Sequence, residues 1–272
     1  MRFSKILGLA ILTLTATPAA GQYRVTDVQT YRFVSEYGNA AGLWVNPAAS
    51  GYFNASLLGG HVAFDRPEDR SWKAGQYLIG LQWGPVGFGY GHDEYRDPGR
   101  APQGDSYTLS VGLATRGNGF GVTRTWRTVG DADGSWDLGY LFVAPSGFSL
   151  GLTWRDIGSP VVRDTLLDER VVGAVTFREP ETGRFSLSAQ GDYRTTGDFR
   201  AFRIGGSWRV IPQLEFLALA EWNGDGDFES FRIGVNLHGT STRATGVAGL
   251  ESGGDVRSGS LGVSFLGRRG DR

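Results

Sequence analysis

The side chains of this sequence that could do acid–base chemistry are few and widely spaced. The three histidines are His61, His92 and His238, and of these only His92 adjoins carboxylates, in His92-Asp93-Glu94. A histidine beside a carboxylate can ligate a metal ion or act as a general base. In an extended strand, however, His92 and Glu94 share one face and Asp93 takes the other. The cluster therefore also fits a solvated strand end that leads into a polar loop, and we favour that interpretation.

Nucleophilic catalysis and metal binding find little support elsewhere in the chain. The absence of cysteine removes thiolate nucleophiles, disulfides and cysteine metal sites, and no Gly-x-Ser-x-Gly elbow stands between a strand and a helix. The acidic segments 131–134 and 223–227 resemble fragments of a calcium loop, but the second lacks the downstream glycine and glutamate of such a loop. Hairpin turns with Asp-Gly explain both segments better. We predict a protein that is not an enzyme and has no cofactor.

A larger set of polar and charged side chains occupies alternate positions of extended segments. In segments such as 148–155 and 231–238, large apolar residues alternate with small or polar ones. A period of two places the two kinds on opposite faces of a strand. The residues predicted to point inward, towards a lumen, are Gln82, Asp137, Arg155, Gln190, Asp192, Arg203, Arg209, Glu215, Glu221, Arg232 and Asn236.

These inward residues allow two interpretations. Because unpaired charges in a low-dielectric space are costly, the residues must form cross-strand ion pairs or meet water. They can form an internal salt-bridge network that fills and stiffens the structure, or they can line a polar, partly hydrated passage. The lining is rich in glycine and balanced in charge, so it indicates no ion selectivity and no passage for purely hydrophobic ligands.

The elements that position these side chains are strands with alternately short and long connections. Alternation and turn signals predict about 14 strands, each near the length of a tilted membrane strand. Tight turns such as Trp83-Gly84-Pro85 and Ala144-Pro145-Ser146-Gly147 alternate with longer polar links such as 157–170. This asymmetry is typical of an outer-membrane barrel whose short turns face the periplasm. The strands are predicted at 54–65, 74–83, 85–95, 105–115, 119–129, 135–144, 147–157, 170–178, 183–194, 199–210, 213–223, 227–238, 241–251 and 256–266.

Large aromatic residues at strand ends separate a membrane barrel from a soluble β-protein, because they fit two interfacial girdles. We therefore predict an all-β fold, a transmembrane antiparallel β-barrel over residues 54–267, in the outer membrane of a Gram-negative cell envelope. Its partners would be outer-membrane lipids and lipopolysaccharide, and a net charge of −1 offers no basic surface for nucleic acid. The predicted girdles are Trp126, Trp136, Trp154, Tyr193 and Trp222 at the outer end, and Trp83, Phe185, Trp208 and Phe265 at the inner end.

One strand interrupts the apolar face. Between Phe120 and Trp126, the alternate positions that would face lipid include Arg124. A lipid-facing arginine at the bilayer midplane costs roughly 2–4 kcal/mol. We expect Arg124 either to snorkel to the interface or to lie beside a bulge that shifts the alternation.

The first residues have the composition of a secretory signal peptide. Arg2 and Lys5 form a positive region, residues 6–14 an apolar region, and Ala19-Ala20-Gly21 a small-residue cleavage site. The apolar run is too short to span roughly 30 Å of hydrocarbon. We therefore predict a cleaved signal peptide over residues 1–21, and a periplasmic tail over residues 268–272.

Residues 22–53 do not repeat the alternation. Their centre reads Ala40-Ala41-Gly42-Leu43-Trp44-Val45-Asn46-Pro47-Ala48-Ala49, which resembles the N-terminal signature of FadL-type fatty-acid transporters and the related PorV-like barrels. The resemblance implies 14 strands and, for the FadL type, an N-terminal segment that acts as a hatch in the lumen, with Trp44, Asn46 and Pro47 in its motif. From the residues alone, Asn46-Pro47 is also a structural turn whose side chain caps nearby backbone.

The chain departs from the FadL type in its short outer loops, which leave little material for an outer lipid-binding groove. The stretch Gly84-Pro85-Val86-Gly87-Phe88-Gly89-Tyr90 is also similar to the barrel domain found ahead of signal-peptide-peptidase-like proteases. No protease domain follows here, so proteolysis is not implied.

Two functions remain as hypotheses. The first is a FadL-like channel or transporter for small amphipathic or hydrophobic molecules, suggested by the strand number, the Asn-Pro-Ala segment and the inward polar residues. The second is a structural scaffold or anchor with a closed lumen, which binds a periplasmic or surface protein as PorV-like barrels do. Short loops and the additional N-terminal segment suggest the second.

Overall fold

The computed structural model describes residues 31–37, 41–66, 71–93, 104–128, 134–158, 161–162, 165–166, 168–251 and 254–267. The predicted signal peptide, residues 22–30 of the N-terminal segment, the predicted tail, Glu94 and the acidic residues at 131–133 lie outside the described residues.

Fourteen antiparallel strands close into one barrel, which confirms the predicted fold class. Strand β1 pairs with both β2 and β16, so the backbone ladder has no free edge. The strands are β1 Ser56–Asp65, β2 Lys73–Trp83, β3 Val86–Asp93, β4 Gly104–Thr115, β5 Asn118–Arg127, β6 Ser135–Val143, β7 Phe148–Ile157, β8 Val161–Val162, β9 Thr165–Leu166, β10 Arg170–Arg178, β11 Phe185–Arg194, β12 Phe199–Ile211, β13 Leu214–Asn223, β14 Phe228–His238, β15 Thr242–Glu251 and β16 Val256–Gly267.

The strand bounds follow the sequence pattern closely, and no bound of a barrel strand differs from its prediction by more than two residues. The connection 157–170 was predicted only as a long polar link. It contains a small hairpin, in which β8 pairs with β9 apart from the barrel, so β7 is hydrogen-bonded directly to β10.

The alternation sorts side chains between the outside and the lumen. On β2, Leu81 and Trp83 expose 50% and 79% of their surface, whereas Gln82 between them is 0% exposed. The same pattern recurs around the barrel, so large apolar residues cover the outside and the buried core lies within the lumen.

Arg124 belongs to the outward-facing set, and β5 pairs with β4 and β6 without a register shift beside it. Its guanidinium donates a hydrogen bond to the Gly134 backbone oxygen at 3.0 Å and lies 4.9 Å from the centre of the Trp136 ring. Gly134 immediately precedes β6, at the end of the barrel that carries the longer connections. Arg124 therefore snorkels towards that end, and the bulge alternative is wrong.

The described helices are short. An α-helical turn, α1, spans Ala41–Trp44, and a 3-10 helix spans Pro47–Tyr52. Among the residues that the structure describes, no helix is long and apolar enough to cross a membrane.

Candidate functional site in the barrel lumen

Residues 31–37 and 41–53, which we call the lumen segment, lie inside the barrel. Val34 is 1% exposed, and Asn46, Ala48, Ala49 and Ser50 are 0% exposed. The segment and the barrel wall share one hydrophobic core. That core contains Phe33, Val34, Val45, Ala48 and Ala49 from the segment, and Leu141, Val172, Ala174 and Leu219 from the strands.

Asn46 connects two parts of the lumen segment to the wall. Its side-chain nitrogen donates hydrogen bonds to the backbone oxygens of Val34 at 2.6 Å and Tyr140 at 3.1 Å. Its side-chain oxygen accepts a hydrogen bond from the backbone N–H of Ala48 at 3.0 Å, which caps the 3-10 helix that begins at Pro47. The Asn-Pro turn is thus present, and the same side chain also joins the segment to β6.

Further polar contacts hold the segment against β7, β10 and β11, the strands that follow β6 around the barrel. The Val34 backbone N–H donates a hydrogen bond to Gln190 Oε1 at 3.0 Å. The hydroxyls of Ser35 and Thr176 lie 2.7 Å apart, and Ser149 donates a hydrogen bond to the Ser35 backbone oxygen at 2.9 Å. The bonds of Gln190 and Ser149 satisfy backbone groups that burial would otherwise leave without a partner.

Two more side chains position the end of α1 and the 3-10 helix. Arg155 donates hydrogen bonds to the backbone oxygens of Trp44, at 3.3 Å, and Val45. Tyr52 donates a hydrogen bond to the Leu141 backbone oxygen at 3.2 Å. Burial raises the pKa of Tyr52, which keeps its hydroxyl neutral and able to donate.

Glycines on the inner face of the wall make space for the lumen segment. A Cβ at Gly121 would come within 2.2 Å of the Pro47 carbonyl carbon, and a Cβ at Gly151 within 2.1 Å of the Val34 oxygen. A Cβ at Gly80 would likewise lie 2.4 Å from the Trp44 ring. Any side chain at these positions would displace the segment. A glycine-rich lining is predictable from the alternation, but its role of making room for a segment is not. The signal for that role is glycine at inward positions of neighbouring strands.

The structure places the predicted lumen-lining residues on the inward face of their strands but does not bring them together in one site. Gln82 lies on β2 and donates a hydrogen bond to the Gly84 backbone oxygen, and Arg155 binds the lumen segment. Asp137 accepts a hydrogen bond from the Asp156 backbone N–H at 2.9 Å. Gln190 binds the Val34 backbone N–H. The remaining residues belong to two ion-pair groups or lie in or beside the wall of a cavity.

Two carboxylates form the centres of the ion-pair groups. Glu221 pairs with Arg203, at 3.0 Å, and with Arg232, at 3.4 Å. Asp192 pairs with Arg170 at 3.1 Å. Each pair joins neighbouring strands, as the salt-bridge interpretation expects.

A cavity of about 290 Å³ lies between the lumen segment and strands β10–β16, beside the short turn that joins β14 and β15. On its wall, Glu215 accepts a hydrogen bond from Asn236 at 2.8 Å and pairs with His238, at 3.1 Å, and Arg243, at 3.5 Å. Arg209 lies on the neighbouring strand and also lines the cavity. The predicted residues Arg209, Glu215 and Asn236 therefore meet where part of the lumen is unfilled.

The predicted girdle residues lie on the outer surface, in the outward alternate set. Trp222 packs between Phe202 and Phe228, with ring centres 6.1 Å and 5.9 Å away. The more exposed members are Trp126, Trp136, Trp154 and Tyr193 near the longer connections, and Trp83, Phe185, Trp208 and Phe265 near the short turns.

The candidate acid–base and calcium clusters are described only in part, because Glu94 and residues 131–133 lie outside the described ranges. His92 points outward and its Nδ1 lies 2.8 Å from Asp105 Oδ1, at a partly exposed strand end. Asn223 Oδ1 accepts hydrogen bonds from the backbone N–H groups of Asp225, at 3.1 Å, and Asp227, at 2.9 Å, so this segment is a capped hairpin turn. Within the described ranges, no group of three or more histidine or carboxylate side chains could hold a metal ion.

Comparison with solved structures shows the fold. The Acinetobacter baumannii outer membrane protein Omp33 is 9% identical with a TM-score of 0.55, over 78% of this chain and 97% of that chain. A mutant of the Rhodopseudomonas blastica porin is 9% identical with a TM-score of 0.48, over 78% of this chain and 99% of that chain. No family model and no curated protein matches the sequence. The chain thus has the fold of an outer-membrane barrel, and its FadL-like or PorV-like character stays a prediction.

Proposed function

We propose that this protein is an outer-membrane barrel that admits small polar or amphipathic molecules through its lumen, with the lumen segment as the hatch. The cavity of about 290 Å³ between that segment and the wall supports the proposal most directly. Pockets of this kind, partly apolar and with a few convergent polar groups, are typical of small-molecule sites.

The outer surface supports the location. Large apolar side chains are exposed around the barrel, among them Leu113 at 72%, Phe120 at 61% and Leu261 at 59%. Soluble monomers rarely expose continuous apolar patches of such extent. We expect the protein in the outer-membrane fraction, with a folded band that shifts on heating in a denaturing gel. Recovery as a soluble periplasmic protein without that shift would contradict the location.

The lining favours polar or amphipathic molecules over purely hydrophobic ones. Arg209, Glu215, His238 and Arg243 all line the cavity. An apolar molecule would displace water from these groups without replacing its hydrogen bonds, which is unfavourable. Purely hydrophobic substrates therefore have less support than amphipathic ones.

A disulfide across the hatch contact tests the transport function. The Ser35 and Thr176 hydroxyls lie 2.7 Å apart, and the chain has no cysteine that could mispair, so Ser35→Cys with Thr176→Cys can lock the segment to β10. We expect liposomes that contain the wild-type protein to swell in arabinose. In liposomes that contain the double variant, oxidation should slow the swelling and reduction should restore it. The single Ser35→Cys variant is the control, because it cannot form the bond. Absence of swelling with the folded wild-type protein would overturn transport.

A scaffold is the second candidate function, and the deep burial of the lumen segment favours it. Asn46 and Ala48 are 0% exposed and the segment shares its core with the wall. A barrel whose lumen stays filled could anchor a periplasmic or surface protein instead of conducting. Two results together would favour this function: no arabinose swelling in either redox state, and a stoichiometric partner recovered with the tagged chain from membranes.

A further inference from the structure

We infer that the cavity beside the β14–β15 turn is a binding site for a small organic anion that carries an apolar group, such as an aromatic carboxylate. The inference rests on the proposed function, because it names the class of molecule that the lumen would take up. Charge, wall composition and size each contribute to it.

The charges of the cavity wall are unbalanced in favour of arginine. Glu215 is occupied by Asn236, His238 and Arg243, and Glu36 pairs with Arg32 at 3.7 Å. Arg178 and Arg209 also line the cavity, and no carboxylate of the described residues forms an ion pair with either of them. The wall therefore presents two guanidinium groups to the cavity without a counter-ion from the described chain.

The side chain of Arg209 also indicates an anion site, because one of its donors has no hydrogen-bond partner. Its Nε is buried and makes no hydrogen bond. A buried donor without a partner is unfavourable, and a charge-assisted bond to an anion would satisfy it. A guanidinium suits a carboxylate particularly well, because its planar N–H groups match the two carboxylate oxygens. The hydroxyls of Ser186 and Ser207, 2.8 Å apart, lie on the same wall and make it polar beside Arg209.

Another part of the wall is apolar. Phe33, Tyr37, Leu217 and Leu219 line the cavity, and Phe33 and Leu219 are both 3% exposed. A wholly hydrophilic anion would leave these side chains in contact with water, whereas an apolar group would remove that contact. At about 290 Å³, the cavity lies at the lower end of the range for ligand pockets, so the molecule must be small.

Calorimetric titration of the purified full-length protein in detergent tests the site. Benzoate is the probe, and benzamide is its neutral analogue of nearly the same shape. We expect benzoate to bind at least about tenfold more tightly than benzamide, and Arg209→Gln to weaken benzoate binding about tenfold. Arg178→Gln should act in the same direction. Arg116→Gln is the matched control, since Arg116 is exposed in the short turn between β4 and β5 and does not line the cavity.

The result that overturns the site is equal binding of benzoate and benzamide, no binding of either, or an equal loss in Arg116→Gln and Arg209→Gln. The heat shift of each variant in the gel establishes that it is folded, and Arg178→Gln replaces Arg209→Gln if the latter is not. Arabinose swelling without benzoate binding would overturn this inference alone. Benzoate binding without swelling would overturn the transport function and leave the anion site.

Discussion

Asn46 Oδ1 occupies the space that a side chain at position 139 would need: a Cβ at Gly139 would lie 2.2 Å from that oxygen. The same asparagine donates a hydrogen bond to the backbone oxygen of Tyr140, the next residue of β6. The wall thus leaves a gap and supplies an acceptor at the same point. The fit between the lumen segment and β6 is specific to these residues and is not a general filling of the barrel.

Substitution of Gly139 by alanine should loosen the lumen segment. The added methyl group overpacks the contact, which typically costs about 1–3 kcal/mol of unfolding free energy. If the segment is the hatch, the rate of liposome swelling should also rise. Gly60→Ala is the control, because a Cβ there meets nothing closer than the Leu78 oxygen at 3.7 Å. Equal stability and equal swelling of the two variants would contradict the proposed fit.

Removal of the Asn46 side chain should destabilise the folded state more strongly than its size suggests. Asn46→Ala leaves the buried backbone groups of Val34, Tyr140 and Ala48 without this partner. Each unsatisfied buried group costs about 1–3 kcal/mol. Urea-induced unfolding in lipid vesicles, followed by tryptophan fluorescence, measures the change. Asn54→Ala, at an exposed position just before β1, should leave the midpoint nearly unchanged; a comparable loss there would contradict the assignment.

The strands were predictable because the signal that defines them is local. Adjacent residues such as Gln82 and Trp83 differ in character according to the face they occupy, and this difference repeats along each strand. The inward-facing residues could be predicted from this alternation alone. The alternation also identifies Arg124 as a charged residue at an outward position, although only the structure distinguishes snorkelling from a bulge.

The position of the lumen segment was not predictable in the same way. Asn46 contacts Tyr140, 94 residues away, and Val34 contacts Gln190, 156 residues away. No periodic pattern in the sequence relates such positions, because the contacts depend on barrel closure. The cavity has the same origin, since its wall combines side chains from several strands with the segment.

Arg124 provides a test of snorkelling. Because its guanidinium reaches the Gly134 oxygen near the barrel end, Arg124→Leu should change the unfolding free energy by less than about 1 kcal/mol. Val111, on neighbouring β4 and farther from that end, also points outward. Val111→Arg should lower the unfolding free energy by roughly 2–4 kcal/mol, the cost of arginine near the midplane. Equal effects in urea-induced unfolding in vesicles would show that depth does not distinguish the two positions.

Substitution of Glu221 distinguishes between two roles of its ion pairs: a network that stiffens the barrel, and a charged wall that faces the conducted solution. Glu221→Gln deprives Arg203 and Arg232 of their shared carboxylate, and loss of one partner in a buried ion pair costs roughly 3–5 kcal/mol. In a hydrated passage the remaining positive charge should also attract anions, so the reversal potential of planar bilayers under a KCl gradient should shift towards anion selectivity. Asp168→Asn is the control, because Asp168 pairs with Arg194 at an exposed position, at 3.1 Å. We expect both effects in Glu221→Gln. A loss of stability with an unchanged reversal potential would mean that these charges stiffen the barrel and do not face the conducted solution.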